Sequence, residues 1–335
     1  MILPLDDQYT PFPPELISKS HYGVIQSFRS YFSSQGYHEH TPVDINSRLD
    51  PSVYFIGSTI SVLKPYLFAA SIPEPGLFLV QRCVRTQNSK LLLTDSEMPK
   101  WASYFQSIGT LSPITKLKQV CMDVWNFLHI SLGIPKHDIM IRASSRDQDL
   151  LEFWTEMNDG PCLDIDSFPI SYYRHQYGHE EWHGRNINFA LRQEGGQHFA
   201  DIGNLIVLEH RDGQAGGVEL AFGISTLNAR KFSLKHPIEA SLISTAIPFD
   251  LLRTCKLADA MAVALHLTRE RLRPTASNTR GRILRTYIRG IDYLSRQARL
   301  NPSQVQQCIQ LYELEEYGAV SDASELIHNY LIKGV

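Results

Sequence analysis

Several features by which a sequence can be assigned to a class are missing from this chain. Its 335 residues include five widely scattered cysteines, which argues against a disulfide framework and against a Cys-x-x-Cys zinc site. No apolar run is long enough to span a bilayer. The amino terminus has neither the basic start nor the long apolar stretch of a signal peptide. We therefore expect a cytoplasmic protein with reduced thiols and no membrane partner.

The composition indicates a folded protein of one or two domains. A hydrophobic content of 43% allows a chain of this length to bury a large core, and the formal net charge is only −3. That near balance conceals a basic segment, because seven further arginines lie between Arg269 and Arg299 with few acids among them. A basic helical face of this kind is expected to bind a phosphate backbone. A solvated helix with acidic partners elsewhere in the fold explains the same pattern equally well.

Hydrophobic periodicity predicts a sheet followed by helices. Apolar residues at helical spacing before Gly36 and after Pro113 predict two helices that cover one side of a sheet. The predicted strands are 77–84, 139–142, 204–208 and 218–222, the last two joined as a hairpin. The predicted later helices are 251–272, 282–298, 302–317 and 323–331. We therefore expect an α+β fold with an antiparallel sheet over residues 1–236 and an all-α domain over residues 237–335.

Arg85 ends the apolar strand that begins at Leu79, and about two dozen residues later comes the segment from Trp101 to Gly109. A planar guanidinium on a rigid sheet can clamp a phosphate and a carboxylate together. An arginine at the end of a strand can equally be a surface or ion-paired residue.

These two segments resemble the ATP-binding strands of class II aminoacyl-tRNA synthetases, in the form found in alanyl-tRNA synthetases. Further segments resemble that family in the same order, over roughly residues 20–290: Phe28-Arg-Ser-Tyr-Phe-Ser-Ser-Gln-Gly36, Asp50-Pro-Ser-Val-Tyr-Phe-Ile-Gly57, Leu63-Lys-Pro65, Leu132-Gly-Ile-Pro-Lys-His-Asp138, Asp159-Gly-Pro-Cys162, Phe199-Ala-Asp-Ile-Gly-Asn-Leu-Ile-Val207 and Val218-Glu-Leu-Ala-Phe-Gly223. The resemblance implies the family's antiparallel catalytic sheet, ATP and Mg²⁺ as cofactors, and formation of an aminoacyl adenylate.

The resemblance also implies site residues. Those expected at ATP are Arg85, Gln87, Trp101, Phe105, Gln106 and Arg230, with Arg85 and Arg230 in catalytic roles. Those expected at the amino acid are Asp201, Gly203, Asn204 and Glu219, with Glu219 binding the α-ammonium group.

Three of these positions depart from the family pattern. Thr226 stands where the family has an arginine for the γ-phosphate, and Arg230 lies one helical turn further on. Gln106 replaces a glutamate. Gly203 replaces a tryptophan, which predicts a wider pocket and a substrate other than plain alanine, such as another small or modified amino acid.

The segment Pro274–Arg285 resembles the signature that opens the tRNA acceptor-stem-binding helices of alanyl enzymes. It implies a tRNA contact through Asn278, Arg280, Arg282, Arg285 and Arg289. The chain ends before the positions of the family's editing and oligomerisation regions, so we expect a specialised paralogue without proofreading, either a monomer or a homodimer. Its acceptor would be a tRNA, a carrier protein or a small amine.

Two other functions remain open at this point. The departures at Thr226 and Gln106 are also expected of a non-catalytic paralogue that only binds an amino acid or tRNA. In addition, His179-Glu-Glu-Trp-His183 matches the His-Glu-x-x-His helix motif of zinc hydrolases, with His175 one turn earlier. Flanking glycines and the lack of a long amphipathic helix argue against that second alternative.

Overall fold

The structure is a computed structural model that describes residues 12–98, 101–176, 181–247 and 251–334. Within these ranges one sheet has the strand order β1-β2-β3-β9-β8-β7-β4-β5, with β6 also paired to β7. The strands are β1 His38–Glu39, β2 Leu77–Val84, β3 Tyr104–Ser112, β4 Ile139–Ala143, β5 Cys162–Ile165, β6 Arg174–Gln176, β7 Trp182–Arg192, β8 Phe199–His210 and β9 Ala215–Gly223. The pairs β1/β2 and β4/β5 are parallel and the others are antiparallel.

Helices pack on the sheet, and after the last strand the remaining helices follow one another along the chain. They are α1 Pro14–Ser34, α2 Ile60–Phe68, α3 Leu117–Asn126, α4 Gln148–Thr155, α5 Ile224–Lys231, α6 Leu251–Arg269, α7 Thr279–Gln297, α8 Pro302–Tyr317 and α9 Ala323–Lys333. None of these described helices is both long and apolar enough to cross a membrane. The prediction of an α+β fold with a largely antiparallel sheet, followed by a helical region, is confirmed.

Alternation along the central strands gives the sheet two different faces. In β9, Leu220 and Phe222 point into a large core shared with α1, α3 and α4, whereas Glu219 and Ala221 point to the other face. That second face is covered by α2 at one end and is open at the other. The functional residues described below stand on this second face.

The ends of the helices are set by local sequence. Helix α1 begins with Pro14 at its first turn, where the missing N–H costs nothing, and stops before Gly36, which has φ +82°. In α8, Asn301 and Gln304 form a capping box, and Gly318 ends the helix in the left-handed conformation.

Helices α6 to α9 share a core with residues from the first half of the chain. Buried side chains such as Met261, Tyr287 and Ile309 pack in one cluster with Ile45 and Tyr104. The helical region is therefore seated on one end of the sheet. The division at residue 236 stays a prediction, because this shared core is continuous across it.

Candidate functional site

A cavity of about 960 Å³ opens on the second face of the sheet. Its floor is formed by β3, β8 and β9, and its walls by segment 51–64, the end of β2 and residues 175–176 of β6. The predicted site residues in its lining are Arg85, Gln87, Trp101, Phe105, Asp201, Gly203, Asn204 and Glu219. The fold therefore brings together most of the residues that the sequence assigned to ATP and the amino acid.

Arg85 follows β2 and is exposed to the cavity. Its Nε donates to the Gly57 carbonyl oxygen at 3.0 Å, and its guanidinium carbon is 5.2 Å from the centre of the Phe105 ring. Within the described ranges no carboxylate pairs with Arg85. Its remaining N–H groups are therefore available to an anionic ligand.

Asn204 and Glu219 lie deeper in the cavity, on neighbouring strands. Glu219 is only 3% exposed. The Asn204 Nδ2 lies 3.0 Å from the His175 Nε2. Burial, together with the nearby charge of Arg85, lowers the pKa of His175, so its imidazole is neutral at pH 7. This end of the cavity can therefore offer hydrogen bonds from amide and imidazole groups.

Asp201 is committed to neighbours at the rim. Its two carboxylate oxygens accept hydrogen bonds from the Arg142 guanidinium and the Tyr172 hydroxyl. Arg142 in turn bonds Asp164 Oδ2 through Nε at 3.2 Å. Asp201 therefore belongs to a polar network with Arg142, Tyr172 and Asp164.

A buried lysine, which our sequence analysis did not assign to the site, forms part of the wall. Lys64 on α2 is 6% exposed, and its Nζ donates to Asp50 Oδ2 at 2.7 Å and to Ser52 Oγ at 3.1 Å. Burial alone would raise the pKa of Asp50, but the bonds from Lys64 and Ser52 hold it below its usual value. A lone lysine within an apolar helix was the signal in the sequence that could have identified it.

Two predicted ATP residues lie away from the cavity. Gln106 follows Phe105 in β3, so its side chain points to the opposite face, where its Nε2 donates to Glu316 Oε1 at 2.6 Å. Arg230 lies on α5 outside the lining, and its Nη1 is 3.4 Å from the Leu234 carbonyl oxygen. Desolvation by burial lowers the pKa of Arg230. Thr226, at the family's arginine position, does line the cavity.

The expectation that Gly203 widens the pocket needs correction. A Cβ at this position would lie 2.2 Å from the Ala221 carbonyl oxygen and 2.4 Å from Phe222 Cδ1. The missing side chain would therefore point into β9 and not into the cavity. Glycine is required here by the close approach of β8 and β9.

The helical region holds one segment of the cavity wall and, in addition, segment 45–47, which leads into the wall at residue 51. The Asp259 carboxylate on α6 accepts from the Ser103 N–H and hydroxyl, both at 2.6 Å, and burial raises its pKa to about 6. The Ser103 carbonyl oxygen then accepts from the Arg85 N–H at 2.8 Å. Segment 45–47 is held in the same way, because the Glu270 carboxylate accepts from the N–H groups of Ile45 and Asn46 at 2.7 Å each.

The residues predicted to bind tRNA have different surroundings. The Asn278 side chain caps α7 by accepting from the Gly281 N–H at 2.8 Å. Arg280 bonds the carbonyl oxygens of Asn46 and Ser47 at 2.6 and 3.2 Å. Arg282 is exposed and bonds Thr279 Oγ1 at 3.0 Å. Arg285 and Arg289 also lie on α7. Asn278 and Arg280 therefore have structural roles, whatever else they contact.

The zinc-hydrolase alternative does not fit the described part of its motif. His179 and Glu180 lie outside the described residues. His183 lies in β7 and not in a helix, with its Nε2 3.3 Å from Glu209 Oε2. His175 lies in β6 beside Asn204. In the part of the chain that the structure describes, no three His, Cys, Asp or Glu residues form a group that could hold a metal ion.

No protein-family model matches the chain. Among curated proteins it is similar to the alanine–tRNA ligases of Thermoanaerobacter sp. (strain X514), with 23% identity over 136 residues, and of Bacillus subtilis (strain 168), with 23% identity over 137 residues. Each match covers 40% of this chain and 15% of the ligase. The chain therefore spans a small part of the length of these relatives.

Solved structures with a similar arrangement include two aminoacyl-tRNA synthetases. The histidyl-tRNA synthetase of S. aureus has a TM-score of 0.44 at 10% identity, with 70% of this chain and 74% of that chain covered. The asparaginyl-tRNA synthetase of Pyrococcus horikoshii, complexed with asparaginyl-adenylate, has a TM-score of 0.41 at 13% identity, with 68% of each chain covered.

The sequence matches to the alanine–tRNA ligases agree with the family that the motifs from Arg85 to Glu219 indicate. The chain is thus identified as a distant relative of the alanyl-tRNA synthetases, an alanyl-tRNA synthetase-like protein of class II.

Proposed function

We propose that this chain activates an amino acid with ATP, forming an aminoacyl adenylate and pyrophosphate. A carboxylate oxygen of the amino acid bonds to the α-phosphorus while the bond from that phosphorus to the leaving pyrophosphate oxygen breaks. Alignment and charge neutralisation supply most of the acceleration in such a displacement, so no covalent nucleophile is required of the protein.

One observation carries this proposal. Arg85, which has no carboxylate partner in the described ranges, and the buried Glu219 face the same cavity on one face of the sheet. A cationic group for phosphate and an anionic group for ammonium are what an amino acid and a nucleotide require together. The cavity volume of about 960 Å³ is large enough for both ligands.

Other lining residues are assigned by their chemistry. Trp101 and Phe105 offer aromatic surfaces for the adenine base, and Lys64 adds a positive charge to the wall. Mg²⁺ is usually bound through phosphate oxygens, waters and one or two carboxylates. In this cavity Glu219 is assigned to the ammonium group and Asp201 is engaged with Arg142 and Tyr172, so the ion would be held mainly through phosphate oxygens and waters, and it would neutralise charge on the triphosphate.

The acceptor of the activated group is proposed to be a tRNA acceptor stem, a carrier protein or a small amine, in a specialised biosynthetic role. The exposed Arg282, together with Arg285 and Arg289 on the same helix, supports a polyanionic acceptor. A monomer and a homodimer are both compatible with this role.

A specific observation favours a second candidate. Neither Gln106 nor Arg230 lines the cavity. Without Arg230, the described lining has no counterpart of the arginine that the family uses at the γ-phosphate. A non-catalytic paralogue that binds an amino acid or tRNA would have no need of that arginine.

Amino-acid-dependent exchange of labelled pyrophosphate into ATP tests the proposal. We expect exchange with one amino acid or a few, and a loss of at least about 100-fold in Arg85→Ala, because the phosphate loses its charge-assisted hydrogen bonds. Arg211→Ala removes an exposed arginine in the β8–β9 turn and is the matched control, with unchanged exchange. Absence of exchange from folded protein that still binds an amino acid would favour the non-catalytic candidate.

A further inference from the structure

Asn188 presents an unsatisfied amide to the deep end of the cavity. It lies on β7, is 7% exposed, and its Nδ2 has no hydrogen-bond partner in the described part of the protein. A buried donor without a partner is rare in folded proteins and calls for a reason. Since this donor borders the cavity that holds Arg85 and Glu219, a bound ligand is the partner that the site provides for.

The position of Asn188 relative to the other amino-acid residues follows from the sheet register. Asn188 pairs with Asn204 across β7 and β8, and Asn204 pairs with Ala221 across β8 and β9. Glu219 lies two residues before Ala221 on the same face. Because neighbouring strands are about 4.8 Å apart, Asn188 is roughly 10 Å across the sheet from the strand that bears Glu219.

With the offset of about 7 Å between Ala221 and Glu219 along β9, the backbone positions of Asn188 and Glu219 are roughly 12 Å apart, which leaves room for one small amino acid between the two side chains. With its α-ammonium group at Glu219, a substrate would extend its side chain across β8 toward Asn188. Asn204 has one contact of its amide nitrogen with His175, whereas the amide nitrogen of Asn188 has no partner in the described part of the chain. The side chain that meets Asn188 must therefore supply the acceptor for the free N–H.

The charge of the cavity lining restricts which kind of substrate oxygen can accept the hydrogen bond from Asn188. Asp201 and Glu219 are the carboxylates in the cavity lining. The group to be satisfied at Asn188 is a neutral amide N–H, for which a neutral oxygen is a sufficient acceptor, whereas a second carboxylate would add charge beside Glu219 and the Asp201–Arg142 pair. An apolar side chain would leave the Asn188 amide buried and unsatisfied.

We propose that Asn188 is a specificity-determining residue and that the substrate is a small amino acid whose side chain carries an uncharged oxygen, a hydroxyl or a carboxamide. This inference rests on the proposed adenylation. The inference goes beyond the proposed adenylation because it names the substrate class and the residue that selects the substrate. Sites built to bond a substrate group reject the analogue that lacks the group much more strongly than apolar pockets reject a missing methylene.

Non-hydrolysable aminoacyl sulfamoyl adenosines test this by calorimetry without requiring turnover. The seryl and 2-aminobutyryl compounds form a matched pair, because a hydroxyl in one replaces a methyl in the other, and the asparaginyl and alanyl compounds extend the series. We expect the seryl or asparaginyl compound to bind on the order of 10- to 100-fold more tightly than the apolar compounds.

Three variants complete the experiment. Asn188→Leu is expected to remove the preference. Asn188→Asp, which keeps the shape but replaces the donor with a charged acceptor, is expected to favour those compounds whose side chain can donate a hydrogen bond. Ser107→Ala changes another buried lining residue, on β3, and should leave the preference unchanged. Equal binding of the polar and apolar compounds, or a preference that survives both Asn188 changes, overturns this inference alone. Failure of every compound to bind folded protein overturns the proposed adenylation as well.

Discussion

Glu270 shows how a single side chain can couple the helical region to the cavity wall and to pH. Its carboxylate accepts two backbone N–H bonds from segment 45–47, yet burial raises its pKa from an ordinary value of 4.5 to about 7. The loss of solvation therefore outweighs the two hydrogen bonds. Near neutral pH the Glu270 carboxyl therefore changes its protonation state in the folded protein.

The stability of the protein should therefore depend on Glu270 in a defined direction. Because the folded-state pKa is raised, the contribution of this carboxyl to stability is fully present below about pH 4.5 and is lost as the pH rises through about 7. At about 1.4 kcal/mol per pKa unit, the difference in unfolding free energy between wild type and Glu270→Gln should shrink by up to about 3 kcal/mol from pH 4.5 to 8. Urea unfolding across that range measures it, and a difference that stays constant or grows would contradict the assignment.

At the scale of elements, the contact between β8 and β9 is set by one glycine. We expect Gly203→Ala to destabilise the protein by at least about 2 kcal/mol, because its Cβ would meet a backbone carbonyl oxygen and an aromatic ring that cannot both move away. Gly23→Ala is the control, since a Cβ there meets nothing within 4 Å on α1, and it should stabilise by about 0.5–1 kcal/mol. Thermal unfolding of both variants decides the matter, and similar effects from both would show that β8 and β9 have room to separate.

At the scale of the whole molecule, Arg280 connects the helical region to the segment that leads into the cavity wall. We expect Arg280→Ala to speed amide hydrogen exchange of segment 45–58 by about tenfold, because the carbonyl oxygens of Asn46 and Ser47 lose their charged donors. Arg282→Ala removes a neighbouring exposed arginine and should leave that segment unchanged. If the two variants exchange alike, the bonds of Arg280 do not hold the wall.

The fold was predictable where periodicity is strong. The strand at 77–84 and the helix at 302–317 were predicted at the bounds that the structure has. Strand β7 was not predicted, although Ile187, Phe189 and Leu191 alternate along it.

The site could be predicted only in part, for physical reasons. Arg85 and Glu219, each a charged residue in or beside an apolar strand, were predicted at the site, and the structure places both in the cavity lining. Gln106 was misplaced, because the face that a strand residue takes depends on a register that one sequence does not reveal. Asn188 and His175 enter the cavity through cross-strand pairing with distant residues, which leaves no local signal.

The hydrogen bonds between Asp259 and Ser103 limit how the helical region could be exchanged for that of another protein. Asp259 bonds Ser103, whose carbonyl oxygen in turn bonds the backbone N–H of Arg85, so a residue of the helical region helps to position an arginine that lines the cavity. A chimaera that joined this sheet to foreign helices would have to carry its own acid at the matching place or leave Ser103 without an acceptor. Exchange of the helices alone would therefore disturb the backbone that carries Arg85.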